Sequence, residues 1–325
     1  MSGISAEVIL FGVGVGVLIG LTGIGGGSLM TPLLVTVLGV APIVAVGTDL
    51  TYGAITKSVG GYRHLRKGTV DLGVAKWLAY GGVPGVGIGV ALLDRLHSSY
   101  GHSFDHVLMG CLAGALLLVA GAVIVRTFIV PKLALRESHS FDFTPRSRAL
   151  AVILGLAMGV ILGLTSVGSG ALIGVAMMLV FRLTPRRVAG SSIFLAALLL
   201  AVGAIAHIAS GNVNWVLMAN ILIGSVPGVL LGAHFVDRVP ERALRVVLAA
   251  VLLGSALALV NSAGGRMPAA VIFGAPLAIG LLGLLRRTKL PEAVAAGGAS
   301  TAAIAAGVPL GGLAAAERER QGERR

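Results

Sequence analysis

Apolar residues run along this chain in long blocks, and polar residues gather between the blocks instead of alternating within them. Segments 104–126, 215–236 and 243–260 each hold roughly 18 or more mostly apolar residues, enough for a helix to cross about 30 Å of hydrocarbon. The pattern predicts helices over 6–21, 29–39, 43–63, 71–94 and 104–128. It predicts a second series over 148–164, 171–182, 186–209, 215–237 and 241–260, with a last helix at about 268–285. Glycine-rich breaks interrupt the two series at 22–28 and 165–170. A polar stretch over 129–147, interrupted by Pro131 and Pro145, reads as the linker between them.

The two series are copies of one unit. Gly12, Gly16, Gly20, Leu21, Thr22, Gly25, Gly27 and Leu29 recur 143 positions later as Gly155, Gly159, Gly163, Leu164, Thr165, Gly168, Gly170 and Leu172. The same offset carries Pro42 to Pro185, Gly47 to Gly190, Gly60 to Gly203, His64 to His207 and Gly68 to Gly211. It also carries Gly81, Pro84, Gly85 and Gly89 to Gly224, Pro227, Gly228 and Gly232. Apolar composition alone would match Leu, Val and Ala, but not this many Gly and Pro residues. In a membrane protein a duplicated unit usually builds a transporter from two related halves.

Composition agrees with the pattern: 56% of residues are hydrophobic and 12% charged, with a mean hydropathy of +0.97. A net charge of +12 would suggest nucleic acid in a soluble protein. Here the basic residues sit in short loops: Arg63, Arg66 and Lys67; Arg126, Lys132, Arg136, Arg146 and Arg148; and Arg182, Arg186 and Arg187. They continue at Arg238, Arg242 and Arg245 and at Arg286, Arg287 and Lys289. This is the positive-inside bias, so the lipid bilayer is the expected partner and nucleic acid is not. The first basic residue is Lys57, so no basic leader region is expected and the first apolar segment belongs to the fold. Cys111, the one cysteine, lies in an apolar run and is expected to be a buried, inert thiol.

Charge also selects a topology. If 6–39 crossed the membrane once, the loops around Arg63 and Arg182 would face opposite sides. If 6–39 enters and returns as a hairpin, all the basic clusters fall on one side. The expected fold is therefore an all-α polytopic membrane protein of two inverted-topology repeats. Each repeat has a Gly-rich broken or re-entrant helical hairpin and three spanning helices. The expected organisation is a first repeat over 1–128, a cytoplasmic linker over 129–147, a second repeat over 148–260, and an extra helix with a charged tail over 261–325. The basic loops and the tail are expected on the cytoplasmic side of the inner membrane.

Each break leads from a loop into a helix N-terminus. A helix start leaves its first N–H groups unpaired and carries about half a positive charge. Within hydrocarbon such a turn survives only where protein or a water-filled cavity satisfies it. Glycine lets a ligand approach those N–H groups, so two breaks meeting near mid-membrane would suit a small oxyanion. The alternative is that the glycines only permit close helix packing, which is the reading preferred for Gly12, Gly16 and Gly20 and for Gly81, Gly85 and Gly89. Neither break supplies a phosphate-loop or dinucleotide motif.

Asp49 and Lys57 lie eight residues apart in an apolar helix, on roughly one face. Ions at that depth are costly, so they should face a cavity or each other. Asp49 could carry a coupling proton and Lys57 could attract the anion; a purely structural buried pair is the alternative. The equivalent second-half positions are Ser192 and Leu200, so the site would be asymmetric. Thr48, Thr51, Ser191 and Ser192 offer hydroxyls beside the breaks. His64 and His207 are expected at helix ends on opposite faces, Asn220 in an interhelical hydrogen bond, and Trp77 and Trp215 as interfacial anchors. Pro84 and Pro227 should kink or break their helices.

These residues resemble a known family. Gly20–Ser28 followed by Pro32, Ala45-Val46-Gly47-Thr48-Asp49-Leu50, Gly60, Gly68 and Gly81-Gly82-Val83-Pro84-Gly85 with Gly89 look like the sulfite exporter TauE/SafE family of membrane permeases. Gly163–Gly170, Gly190-Ser191-Ser192 and Ser225-Val226-Pro227-Gly228 carry the partner pattern, and the likeness spans about residues 6–260. It implies transport of small sulfur-containing anions such as sulfite, sulfoacetate or related organosulfonates. The commonest first-half motif of the family has Thr-Ser-Leu where this chain has Thr48-Asp49-Leu50.

The expected function is a secondary transporter working by alternating access across the cytoplasmic membrane, with Asp49 as the proton-coupling residue. The expected substrate-binding residues are Thr22, Gly25, Gly26, Gly27, Ser28, Thr48, Lys57, Thr165, Gly168, Ser169, Gly170, Ser191 and Ser192. No cofactor or metal is expected. The alternative is an anion channel, or a permease for a different small anion such as a carboxylate. An enzyme is not expected, because the sequence has no HExxH motif and neither Ser28 nor Ser169 has a histidine nearby in the chain.

Overall fold

No water reaches a bare peptide group inside a bilayer, so a chain this apolar must close its backbone hydrogen bonds within helices. The computed structural model describes residues 4–22, 27–100, 102–124, 143–235 and 241–264, and among these there is no β-strand. Ten helices follow one another: α1 (Ala6–Thr22), α2 (Gly27–Thr36), α3 (Pro42–Arg66), α4 (Leu72–Tyr100) and α5 (His102–Ile124), then α6 (Pro145–Thr165), α7 (Ala171–Leu179), α8 (Pro185–Ala209), α9 (Trp215–Phe235) and α10 (Glu241–Ser262). Of these, α4, α5, α6, α8 and α9 are long and apolar enough to cross a membrane. α3 is 25 residues long but carries Asp49, Lys57, Arg63 and Arg66.

The glycine stripes are where helix backbones meet. α4 lies along α6, and a Cβ on Gly81, Gly85 or Gly89 would come within 1.9, 2.4 or 2.6 Å of the carbonyl oxygens of Val152, Leu156 or Val160. α9 lies along α1 in the same way, with Gly224, Gly228 and Gly232 against the carbonyls of Ile9, Val13 and Val17. Every contact in the second set is the first set moved by 143 positions, with the halves exchanged. The reverse contacts obey the same rule: Gly155 and Gly159 meet the carbonyls of Leu78 and Gly82, and Gly12 and Gly16 meet those of Ile221 and Ser225. Small residues at these positions let neighbouring backbones pack closely where apolar lipid provides no hydrophobic drive.

α3 and α8 pack on each other at the centre and run antiparallel. Gly47, Gly53 and Gly60 on α3 face His207, Leu200 and Ile193 on α8, in descending order. α5 packs against α10, while α2 touches α10 and α7 touches α5. The exchange of halves therefore extends to the places of α2 and α7 against α10 and α5.

The helix ends are tied by equivalent caps. Gly190 admits the Thr69 carbonyl and Ser191 Oγ accepts the Asp71 N–H at 2.7 Å. At the equivalent place Gly47 admits the Asn212 carbonyl and Thr48 Oγ1 accepts the Asn214 N–H at 3.1 Å. Asp71 Oδ1 and Asn214 Oδ1 then accept the N–H groups of Val74 and Leu217, capping α4 and α9. Asp71 also pairs with Arg187 at 3.1 Å. Asp94, near the end of α4, accepts from Ser210 Oγ and, at 2.8 Å, from Asn212 Nδ2.

Four expectations need correction or refinement. Pro145 does not interrupt a linker that runs to residue 147. It is the first residue of α6, with Thr144 as N-cap accepting from the Ser147 N–H, and proline suits the first helical turn because that N–H has no intrahelical partner. Pro84 and Pro227 lie inside continuous helices. Cys111 is exposed on the outer face of α5, because its apolar neighbours mark a membrane-facing surface instead of an interior. Asn220 Oδ1 accepts from the Ser5 N–H at 3.3 Å, which ties α9 to the chain entering α1. The proposed helix 268–285 and most of the segment 129–147 lie outside the described residues.

Candidate functional site between the two helix breaks

The site begins where the start of α2 meets the turn between α6 and α7. A Cβ on Gly27 would lie 2.6 Å from the Ser166 carbonyl oxygen and 3.0 Å from Ser169 Oγ. The two breaks are therefore in direct contact, and only glycine fits at the junction. On the second-half side, α6 ends at Thr165, whose Oγ1 bonds back to the Ile161 carbonyl at 2.6 Å and accepts the Val167 N–H at 3.2 Å. Ser166 adopts a left-handed conformation with φ 58°, and Gly168 follows with φ 96°. Gly170 is the N-cap of α7. A left-handed serine costs energy that the surrounding structure must offset, and such residues concentrate at functional sites.

α3 runs past this junction and lays both of its buried charges on it. Thr31 Oγ1 on α2 donates to Asp49 Oδ2 at 2.6 Å, and Ser166 Oγ donates to the same oxygen at 2.9 Å. Lys57 Nζ donates to Ser169 Oγ at 2.6 Å. Asp49, Thr31 and Ser166 are 0% exposed, and Ser28, Ser169 and Lys57 are also buried. Asp49 and Lys57 do not form an ion pair with each other; each is held by a hydroxyl of the second break. Two buried polar atoms at the junction have no hydrogen-bond partner, Asp49 Oδ1 and Ser28 Oγ.

The structure thus brings Gly27, Asp49, Lys57 and Ser169 together directly, with Ser28 next to Gly27 and with Thr165, Gly168 and Gly170 shaping the turn. Thr48 and Ser191 have other partners, since their hydroxyls cap α9 and α4. Ser192 Oγ bonds to the Ala189 carbonyl of its own helix at 3.2 Å. Gly25, Gly26 and the side chain of Thr22 lie outside the described residues. The candidate set omitted Thr31 and Ser166. Ser166 had a signal in the repeat, because its first-half equivalent is Gly23, and glycine at one copy hints at a left-handed backbone in the other. Thr31 had none, because it lies inside α2 and its equivalent, Gly174, lies inside α7, where a glycine gives no hint of a left-handed turn.

The two equivalent histidines differ. His64 Nδ1 contacts Thr69 Oγ1 at 2.9 Å near the end of α3. His207 is 0% exposed against Gly47, beside the Gly163 carbonyl, with neither ring nitrogen in a hydrogen bond of ordinary geometry. Trp77 sits under the Arg148 guanidinium, 5.2 Å from its ring, and contacts Tyr80 and Phe143. Trp215 is exposed.

An all-helical bundle with several apolar spans, two contacting helix breaks and buried charge at their junction defines a multi-pass membrane protein of the transporter class. The family model described as sulfite exporter TauE/SafE matches residues 8–259, and the chain belongs to that family. It is 39% identical over 258 residues to the probable membrane transporter protein YjnA of Bacillus subtilis (strain 168), covering 79% of this chain and 100% of the relative. It is 29% identical to the probable membrane transporter protein YdhB of the same organism, over 75% of this chain and 94% of that one. A probable membrane transporter protein of Xylella fastidiosa (strain Temecula1 / ATCC 700964) is 30% identical over 69% of this chain and 82% of its own length. No solved structure matches the chain. These relatives are named as membrane transporters, not as enzymes.

Proposed function

We propose that this protein is a secondary transporter that moves a small sulfur-containing anion, sulfite or an organosulfonate, across the cytoplasmic membrane. The observation that carries the reading is the junction itself: a lysine and a carboxylate buried at mid-helix, each bonded to a hydroxyl of the same broken turn. Lys57 supplies the positive charge for the anion, and Ser28, Ser169 and the N–H groups opening α2 and α7 supply donors. Asp49 is the proton carrier, with Oδ1 as the free protonation site. The sulfur assignment is supported by membership of the sulfite exporter TauE/SafE family.

The halves are read as inverted repeats that rock about the junction. The antiparallel packing of α3 on its own repeat mate α8 supports this, since mates in a parallel duplication would run the same way. The basic ends of α3, α6 and α8 then share the cytoplasmic side. The full burial of Thr31, Asp49 and Ser166 favours a carrier with an occluded site over an open pore.

The test is uptake of radiolabelled sulfite into proteoliposomes at mildly acidic pH, with unlabelled sulfite, methanesulfonate, ethanesulfonate and lactate as external competitors. Saturable flux competed by sulfur oxyanions is the expected result. Flux competed only by carboxylates would remove the sulfur assignment, and flux that does not saturate would favour a channel.

A further inference from the structure

The junction holds one positive and one negative group. The charged side chain that acts on Asp49 is Lys57, and the one that acts on Lys57 is Asp49. The segments 23–36 and 163–180 contain no Asp, Glu, Lys, Arg or His. Other titratable groups stand on α3 itself and on the elements packed against it. Tyr52 is a buried phenol three residues from Asp49, and His207 faces Gly47 near the far end of α8. Arg186 and Arg187 open α8, His102, Asp105 and His106 open α5, and His234 closes α9.

We infer that the junction must be electrically neutral in each form that crosses between the two sides, so that one proton travels with one monovalent oxyanion. This rests on the transporter reading above and narrows it. A net charge sealed in a low-dielectric interior costs more than a compensated pair. Empty, the site holds the Asp49 carboxylate and the Lys57 ammonium, which cancel. An anion entering alone leaves a net charge of minus one. A proton on Asp49 Oδ1 restores neutrality: a carboxylic acid, an ammonium and the anion. The one bond made is that O–H bond, and it breaks when the anion leaves.

The geometry suits this proton. Both hydroxyl donors to Asp49, Thr31 and Ser166, converge on Oδ2, which leaves Oδ1 without a partner. A proton there turns the carboxyl into a donor and cancels its charge, so anion and proton favour each other. Half-loaded forms carry charge and stay trapped, which is what makes the coupling obligatory. A divalent anion leaves minus one even with the proton bound. Hydrogensulfite and simple alkanesulfonates therefore fit, while sulfate and sulfoacetate do not. The membrane potential does no work on this cycle, and the pH gradient does.

The experiment uses the full chain in proteoliposomes with four radiolabelled probes: sulfite at mildly acidic pH, methanesulfonate, sulfate and sulfoacetate. Methanesulfonate stays monovalent across the pH range, so any pH effect on its flux belongs to the protein. Exchange of internal for external sulfite and methanesulfonate is expected, with no exchange of the two dianions. Net accumulation of methanesulfonate should rise about tenfold per unit of pH gradient, acid outside. A potassium diffusion potential of about 100 mV should drive none, where one uncompensated charge would give roughly 50-fold. Asp49→Asn should keep exchange, because its loaded site is still neutral, and lose pH-driven accumulation; His207→Gln should keep both.

Potential-driven accumulation in the wild type, or sulfate flux equal to that of methanesulfonate, overturns the inference. So does pH-driven accumulation that survives Asp49→Asn or vanishes in His207→Gln. Absence of exchange for all four probes is a separate failure, since exchange moves no net charge; it overturns the sulfur-transporter reading and the inference with it.

Discussion

α3 and α8 hold equivalent places in the two halves and touch along their length, yet only α3 carries charge at mid-helix. Where α3 has Asp49, α8 has Ser192, bonded to its own backbone. Where α3 has Lys57, α8 has Leu200, whose methyl group sits over Gly53. The breaks differ in the complementary sense. The second presents Ser166 and Ser169 to the charges of α3, while the equivalent first-half residues are Gly23 and Gly26. The two copies therefore share a scaffold of equivalent backbone contacts, and among the described residues buried charge stands on one copy only. An interior site for one small ion needs one charged wall. A second would add buried charge without a partner.

The largest expected effect breaks the scaffold on either side. Gly81→Val puts a Cβ 1.9 Å from the Val152 carbonyl, and its mate Gly224→Val puts one 2.0 Å from the Ile9 carbonyl. Both should abolish a monodisperse peak in detergent gel filtration, while Gly87→Val, with open space around it, should not. Tolerance of one mate alone would mean that the halves are not equivalent scaffolds. Next in size, Lys57→Ala should cut sulfite flux at least tenfold at normal yield. Leu200→Ala, its mate, should lower thermal stability and leave flux within a few-fold. Equal losses of flux in both would remove the one-sidedness of the site.

Ser166→Gly copies the first break into the second. It relieves the left-handed serine but removes a donor to a charged group, an interaction worth about 1.5–3 kcal/mol. Flux should fall several-fold with the fold retained, and an unchanged rate would show that this hydroxyl is dispensable. Ser192→Ala should do least, within about twofold in flux, because its hydroxyl serves only its own helix. A large loss there would bring α8 into the site.

The helix positions were legible because the signals are local. Predicted spans such as 186–209 and 241–260 lie within two residues of α8 and α10 at both ends. α4 runs on to Tyr100, past the predicted 94, because the polar residues Asp94, Arg95 and His97 cover helical backbone at its end. Pro145 was misread because one residue type marks both a loop and a helix start, and only the Thr144 cap distinguishes them. Thr48 and Ser191 read in the sequence as substrate-binding hydroxyls beside the breaks, but the adjacent Gly47 and Gly190 admit the carbonyls of Asn212 and Thr69. That close approach delivers the next N–H groups to the hydroxyls, and their role as caps follows from it.

Hydropathy, glycine and proline spacing and the repeat offset are properties of neighbouring residues, so the chain alone determined the membrane class, the helices, the duplication and the two breaks. It also marked Asp49 and Lys57 as unusual, since ions within an apolar run are costly wherever they point. Which groups meet those ions was decided by the tertiary structure. Lys57 and Ser169 are 112 residues apart and Asp49 and Ser166 are 117 apart. Such pairings depend on how each helix is rotated about its axis against the next, and that rotation is set by backbone contacts between helices from opposite halves.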